Sequence, residues 1–174
     1  MTSSTAAVGA LVLASLALLV SLIAAFTPEM PPPQEAAEDE SEVLTSMIRF
    51  QRYYEKAGAA AEAQNWPLAA FYAHEVEETA AHVAASGWVD DGVELGPLAE
   101  RYAVPAAEQM HLAAEATDGA AFDQAMIEMA AACTVCHRQT DHPFLVIRPD
   151  ASAAERYPSQ DFAPEAPTQE APTP

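Results

Sequence analysis

The residues best equipped for chemistry are Cys133, Cys136 and His137, within the run Cys133-Thr134-Val135-Cys136-His137. On a helix they stand at i, i+3 and i+4, so two thiols and one imidazole share a face. Thiols at that spacing can add across the two vinyl groups of one porphyrin while the neighbouring imidazole coordinates its iron from the same side. The motif therefore predicts one covalent haem, attached through Cys133 and Cys136, with His137 as the proximal ligand. Two other chemistries use such a pair. A thioredoxin-like dithiol opens a helix after a strand, whereas this motif falls at the end of a predicted helix in a chain without strand signals. A zinc site needs two further ligands at matched spacing, and the chain has only 2 cysteines among its 174 residues.

The elements that must position this motif can be read from periodicity and punctuation. Between Ser41 and Arg148 the pattern is helical throughout. Val43, Met47, Phe50, Tyr54, Ala57 and Ala61 recur at steps of four and three, the spacing of one buried helix face. Asn65 and Pro67 end that helix and open a second, in which Leu68, Tyr72, Val76, Thr79 and Val83 repeat the spacing. A Gly/Asp/Pro-rich connection over 86–97 separates two helical hairpins. The third helix is expected over 98–116 with a kink or break at Pro105. The fourth starts at Asp118-Gly119, aligns Phe122, Met126, Met129, Cys133 and His137, and ends before Pro143. Four alanine-rich helices with one longer central connection predict an all-α antiparallel four-helix bundle over 41–148.

The flanks differ in kind. Residues 6–26 hold only Ala, Val, Gly, Leu, Ser, Ile and Phe, and a helix of that length is about 30 Å long, the thickness of a bilayer core. A cleaved signal peptide would show a basic start and small residues at −3 and −1. Here the pairs read Leu22/Ala24 and Ile23/Ala25, so residues 1–26 are expected to remain as an N-terminal transmembrane helix. Residues 27–40 are Pro-rich and then acidic, the composition of a stiff, self-repelling spacer. The tail 149–174 carries six prolines and reads as disordered, with Tyr157, Asp161 and Phe162 as the only side chains suited to docking.

Charge narrows the partners. The formal net charge of −19 falls entirely after residue 28. Such a field repels phosphate backbones, which excludes nucleic acid, and steers basic protein surfaces toward the domain.

The position of the haem motif, at the end of the last of four helices, resembles the cytochrome c′ class. The stretches Met47…Asn65-Trp66, Cys133 to Phe144 and Ser159-Gln160-Asp161-Phe162-Ala163-Pro164 resemble a group of small, little-characterised bacterial monohaem cytochromes. The resemblance covers roughly residues 41–164 and implies a helical bundle carrying one haem c. A departure from cytochrome c′ is the long chain beyond His137, so the gas binding of that class does not follow.

The sixth ligand would decide between electron transfer and gas binding. Met126 and Met129 share a helix with His137 and read as core packing. His74 and His111 point away from the apolar stripes and read as solvated. His142 stands where it can hydrogen-bond a haem propionate or the chain. Met47, inside the first stripe, is by spacing equally a core filler or a ligand, with His82 as the next candidate; the resemblance implies that Met47 is the distal ligand. Arg49, Arg52, Arg138 and Arg148 are candidates to neutralise propionates, although exposed arginines more often pair with surface carboxylates. Tyr53, Tyr54, Trp66 and Tyr72 are candidates to line the haem or to fill the core.

The reading is an electron-transfer protein, not an enzyme, anchored in the cytoplasmic membrane with its haem domain in the periplasm. Its partners would be redox proteins with a basic docking face, or a larger membrane electron-transfer complex. The rivals are a five-coordinate gas-binding haem protein and an accessory cytochrome subunit of a respiratory or photosynthetic complex.

Overall fold

The computed structural model describes residues 33–149 and 152–164. The expected anchor, residues 1–26, lies outside them. Among the described residues no helix is long and apolar enough to cross a membrane. Contacts divide the chain into Met1–Ala36 and Ala37–Pro174, and the second unit holds the apolar core. Among the described residues the fold is all-α apart from one two-residue-per-strand hairpin.

Helix α1 spans Pro33–Glu62, so the expected spacer is shorter than 27–40. Proline suits a first helical position because its missing N–H has no partner there in any case. The Gln, Ala and Glu that follow it are strong helix formers. Acid-rich sequence here marks the start of a helix rather than the body of a linker. Farther along, Phe50, Tyr54 and Ala57 are buried while Val43, Met47 and Ala61 pack against the core half-buried. Asn65 then caps helix α2, Trp66–Ala85, by accepting a hydrogen bond from Leu68 N at 3.3 Å, and Pro67 takes an early position that needs no donor.

The connection after α2 contains the departure from an all-helical pattern. Strands β1 (Val89–Asp90) and β2 (Val93–Glu94) pair antiparallel, joined by Asp91 and Gly92 at φ 48° and 79°. Two consecutive left-handed residues are what a type I′ turn demands, and Asp-Gly supplies them. The hairpin leads into helix α3, Leu95–Leu98. A Cβ at Gly96 would stand 2.7 Å from Ala84 O, so only glycine lets this segment lie on the end of α2.

From Ala99 to Ala103 the helix widens to a π turn before helix α4, Val104–Glu115. Pro105 was expected to kink or split it. The helix is not split, but it is distorted just before Pro105: Val104 N–H donates to Ala99 O, five residues back, the wider turn relieving the clash with the proline ring. Helix α5, Gly119–Gln139, starts at the expected place, with the Asp118 carboxylate accepting from Ala121 N at 3.0 Å.

The core is small-residue packing with a few large fillers: Phe122, Met110, Met129 and Val76 are fully buried among alanines. Helices α1 and α5 run in opposite directions. Trp66, just past α1, packs edge-on against Phe122 at 6.0 Å. Twelve residues earlier, Tyr54 donates its phenol proton to Met126 O at 2.9 Å.

The tail was expected to be disordered, yet residues 152–164 pack back on the helices. A 3-10 turn, Ser152–Arg156, carries Arg156 to Glu55 (2.7 Å) and Tyr157 to the other oxygen of Glu55 (2.9 Å). Gln160 bonds Tyr72, and Asn65 donates to the carbonyls of Phe162 (3.2 Å) and Ala163 (3.0 Å). Phe162 is buried against the core, and the Lys56 amine lies between the rings of Tyr72 and Tyr157. Proline-rich composition suggests disorder only while nothing holds it; here buried rings and specific acceptors do.

This strap should loosen in alkali. Burial first, and then the hydrogen bond to Glu55, push the Tyr157 phenol up to about 12. A phenol raised in the folded state contributes stability that is fully present below its unfolded value near 10 and is lost as pH rises through about 12. The fall in melting temperature between about pH 9 and pH 11 should therefore be smaller in Tyr157→Phe than in the wild type. Equal falls would show that Tyr157 does not couple the strap to pH.

Candidate cofactor site

The motif occupies the last two turns of α5. Thr134 is buried with its hydroxyl on Ala130 O at 2.9 Å, while Cys133, Cys136 and His137 are half-buried. The helix closes with Asp141 in the left-handed region at φ 58° and a bond from His142 N to His137 O at 2.7 Å, the closing bond of a Schellman end. The chain then doubles back along α5. Leu145 N donates to His142 O, and Ile147 N donates to the Thr134 hydroxyl at 3.0 Å.

This return path shapes the imidazole's surroundings. Burial lowers the His137 pKa, with His142 adding to the effect and the Leu145 backbone and Asp90 opposing it. The ring is thereby favoured in the neutral form that a metal ligand requires. Its Nδ1 is buried and has no hydrogen-bond partner, an arrangement that costs free energy.

The thiols fit attachment better than thiolate chemistry. Burial, with a smaller push from Cys136, raises Cys133 to about 12, and burial also raises Cys136. A redox dithiol or a zinc site needs these sulfurs deprotonated. Nor do Cys133, Cys136 and His137 converge as single-ion ligands do; among the described residues that property belongs only to a group elsewhere, on α2 and α4. The donor set and the orphaned nitrogen fit a haem lying across the helix face.

The antiparallel register places Met47 at this end. Met47 lies seven residues before Tyr54 and Cys133 seven after Met126, so both stand roughly 10 Å from the Tyr54–Met126 contact in the same direction. Apolar side chains exposed at the same end include Leu44 and Ile48 on α1, Val89 in the hairpin, and Phe144, Leu145 and Val146 after the motif. They are six of the nine large apolar residues exposed among the described residues, and a planar apolar cofactor there would cover such a surface. A separate cleft between the π turn and α5, lined by Arg101, Tyr102, Pro105, Ala132 and Val135, includes Val135 of the motif run but none of Cys133, Cys136 and His137.

Other expectations divide. Met126 and Met129 are core, as expected. His82 is exposed and lies edge-on to the buried Trp88 at 5.2 Å, outside the core itself. Trp66 packs at the far end of α5 beside Gly119 and Phe122, so it does not line the motif; Tyr54 and Tyr72 are buried, with Tyr53 stacked on Tyr72. Arg49, Arg52, Arg138 and Arg148 are exposed, and Arg52 sits over the Tyr157 ring. His142 reaches Asp90 at 3.6 Å and ties the hairpin to the chain beyond the motif. His74 is exposed as expected, but His111 is only part-exposed and bonds Glu77 on α2 at 2.6 Å. Only the local pairs His74–Glu77, His74–Glu78 and His111–Glu115 had a signal in sequence; the His111–Glu77 bond joins two helices.

No protein family, no curated protein and no solved structure matches this chain.

Proposed function

We propose that the chain is a monohaem c-type cytochrome: an antiparallel four-helix bundle, held at the periplasmic face of the cytoplasmic membrane by an N-terminal helix, that transfers electrons and catalyses no reaction of its own. The observation that carries this reading is the half-buried face of Cys133, Cys136 and His137, with an unpartnered imidazole nitrogen and exposed apolar side chains at the same end. Bound there, the haem supplies a one-electron couple that needs no substrate.

The protein's own contributions follow from position. Cys133 and Cys136 would tether the ring and His137 would hold the iron, while the fold-back over 140–147 limits water at the imidazole. Met47, level with Cys133 on the antiparallel helix, is the distal ligand in this reading; thioether ligation favours the reduced state and raises the potential. Arg49 and Arg138, beside these two residues in sequence, are placed to offset propionate charge. The acidic surface favours a basic redox partner, whether free or within a larger membrane complex.

The test is the spectrum of the purified, reduced protein with and without carbon monoxide. The wild type should resist carbon monoxide and, oxidised, show the weak far-red sulfur-to-iron band. Met47→Ala should lose that band, lower the potential and admit carbon monoxide. Its fold should survive, since Met→Ala costs about 2 kcal/mol at the low end and Met47 is only half-buried. A wild type that already binds carbon monoxide, with a spectrum unchanged by Met47→Ala, would make Met47 packing and favour the five-coordinate gas-binding alternative.

A further inference from the structure

We infer that His74, Glu77 and His111 form a second metal site, for a borderline divalent ion such as zinc, bridging α2 and α4 independently of the haem motif. The ligand atoms of the three residues lie within 4.8 Å of one another. His74 and Glu77 stand one turn apart on α2, and His111 comes from α4, so the group exists only because the two helices pack. Glu77 Oε2 is 2.6 Å from His111 Nδ1 and 3.9 Å from His74 Nδ1, and the two rings are 5.1 Å apart.

The orientation of the rings is what separates this group from a chance ion pair. Both present Nδ1 to the same carboxylate oxygen, and both present Nε2 to a different carboxylate: Glu78 at 3.5 Å for His74, Glu115 at 3.7 Å for His111. A metal-bound imidazole characteristically donates its other N–H to a carboxylate, which fixes the tautomer and strengthens the ligand. Here both histidines have a second carboxylate within ion-pair distance, close enough for a small side-chain movement to make that bond. Two imidazoles and one carboxylate suit zinc or its neighbours rather than magnesium or calcium. Three protein ligands leave a fourth position for water. Binding takes His111 Nδ1 as a ligand, so the ring's one proton sits on Nε2 beside Glu115, and Glu77 and both rings draw around the ion. The side chains are 21–49% exposed, so an ion can enter without unfolding.

The experiment is equilibrium dialysis of the untagged full-length protein against zinc, with metal analysis and a melting curve. One zinc per chain is expected, with a rise in melting temperature, because an ion binding only the folded state stabilises it. His74→Ala and His111→Ala should each weaken binding by at least about tenfold, since even second-shell changes do so. Glu77→Gln, which keeps the shape, should weaken it too, and His82→Ala should not. Each variant is checked for unchanged helix content by circular dichroism. Absence of stoichiometric zinc, or zinc retained by His74→Ala/His111→Ala, would reduce the group to helix-bridging ion pairs.

Discussion

Cys133→Ser/Cys136→Ser is expected to yield a chain with no covalent chromophore, whereas the wild type, made in a host that matures c-type cytochromes, should keep its haem stain after denaturing electrophoresis. Either single substitution should leave one thioether and a weaker stain. His137→Ala should keep the attachment and change the spectrum, because the tether and the ligand are separate bonds. The loss in the double variant should be complete, since both attachment points are gone. A wild-type protein free of haem, whose thiols instead take up zinc or cycle as a disulfide, would overturn the reading despite the raised thiol pKa values.

Phe162→Ala should be the most damaging single change outside the helices. The ring is 6% exposed and packs against the core between chain segments that share no secondary structure. Truncating a buried phenylalanine costs about 3 kcal/mol or more, on the order of 10 °C in melting temperature for a domain of this size. Asn65→Ala should reproduce part of the effect, since it frees the Phe162 and Ala163 carbonyls and uncaps α2. A shift below about 2 °C for Phe162→Ala would mean the strap contributes little to the folded state.

These two sites also mark what sequence reasoning can reach. The motif and α5 were legible because their signals are local: a capping Asp118, a clean stripe and three ligand-bearing residues within five positions. Asp91-Gly92 was legible as a turn, but the strands it joins are two residues each, too short for alternation to register. The strap was illegible because proline-rich composition outweighs two aromatic rings until the partners, 88–102 positions away, are known. His111 was misjudged for a related reason: its own helix turns it outward, and only the packing angle with α2 brings Glu77 to it. Pro105 was expected to break a helix that a π turn could carry past it.

The strap also sets an order of events. Synthesis proceeds from the N-terminus, so Cys133–His137 emerge before residues 152–164, and all four long helices can assemble while the strap is still missing. Contacts that span about a hundred residues of chain form late in folding, because closing so large a loop gains nothing until both ends are ordered. Closure of the final segment on Asn65 and Glu55, away from Cys133–His137, would then act as a latch on a finished molecule, and chains stalled before it would be the ones a protease finds first.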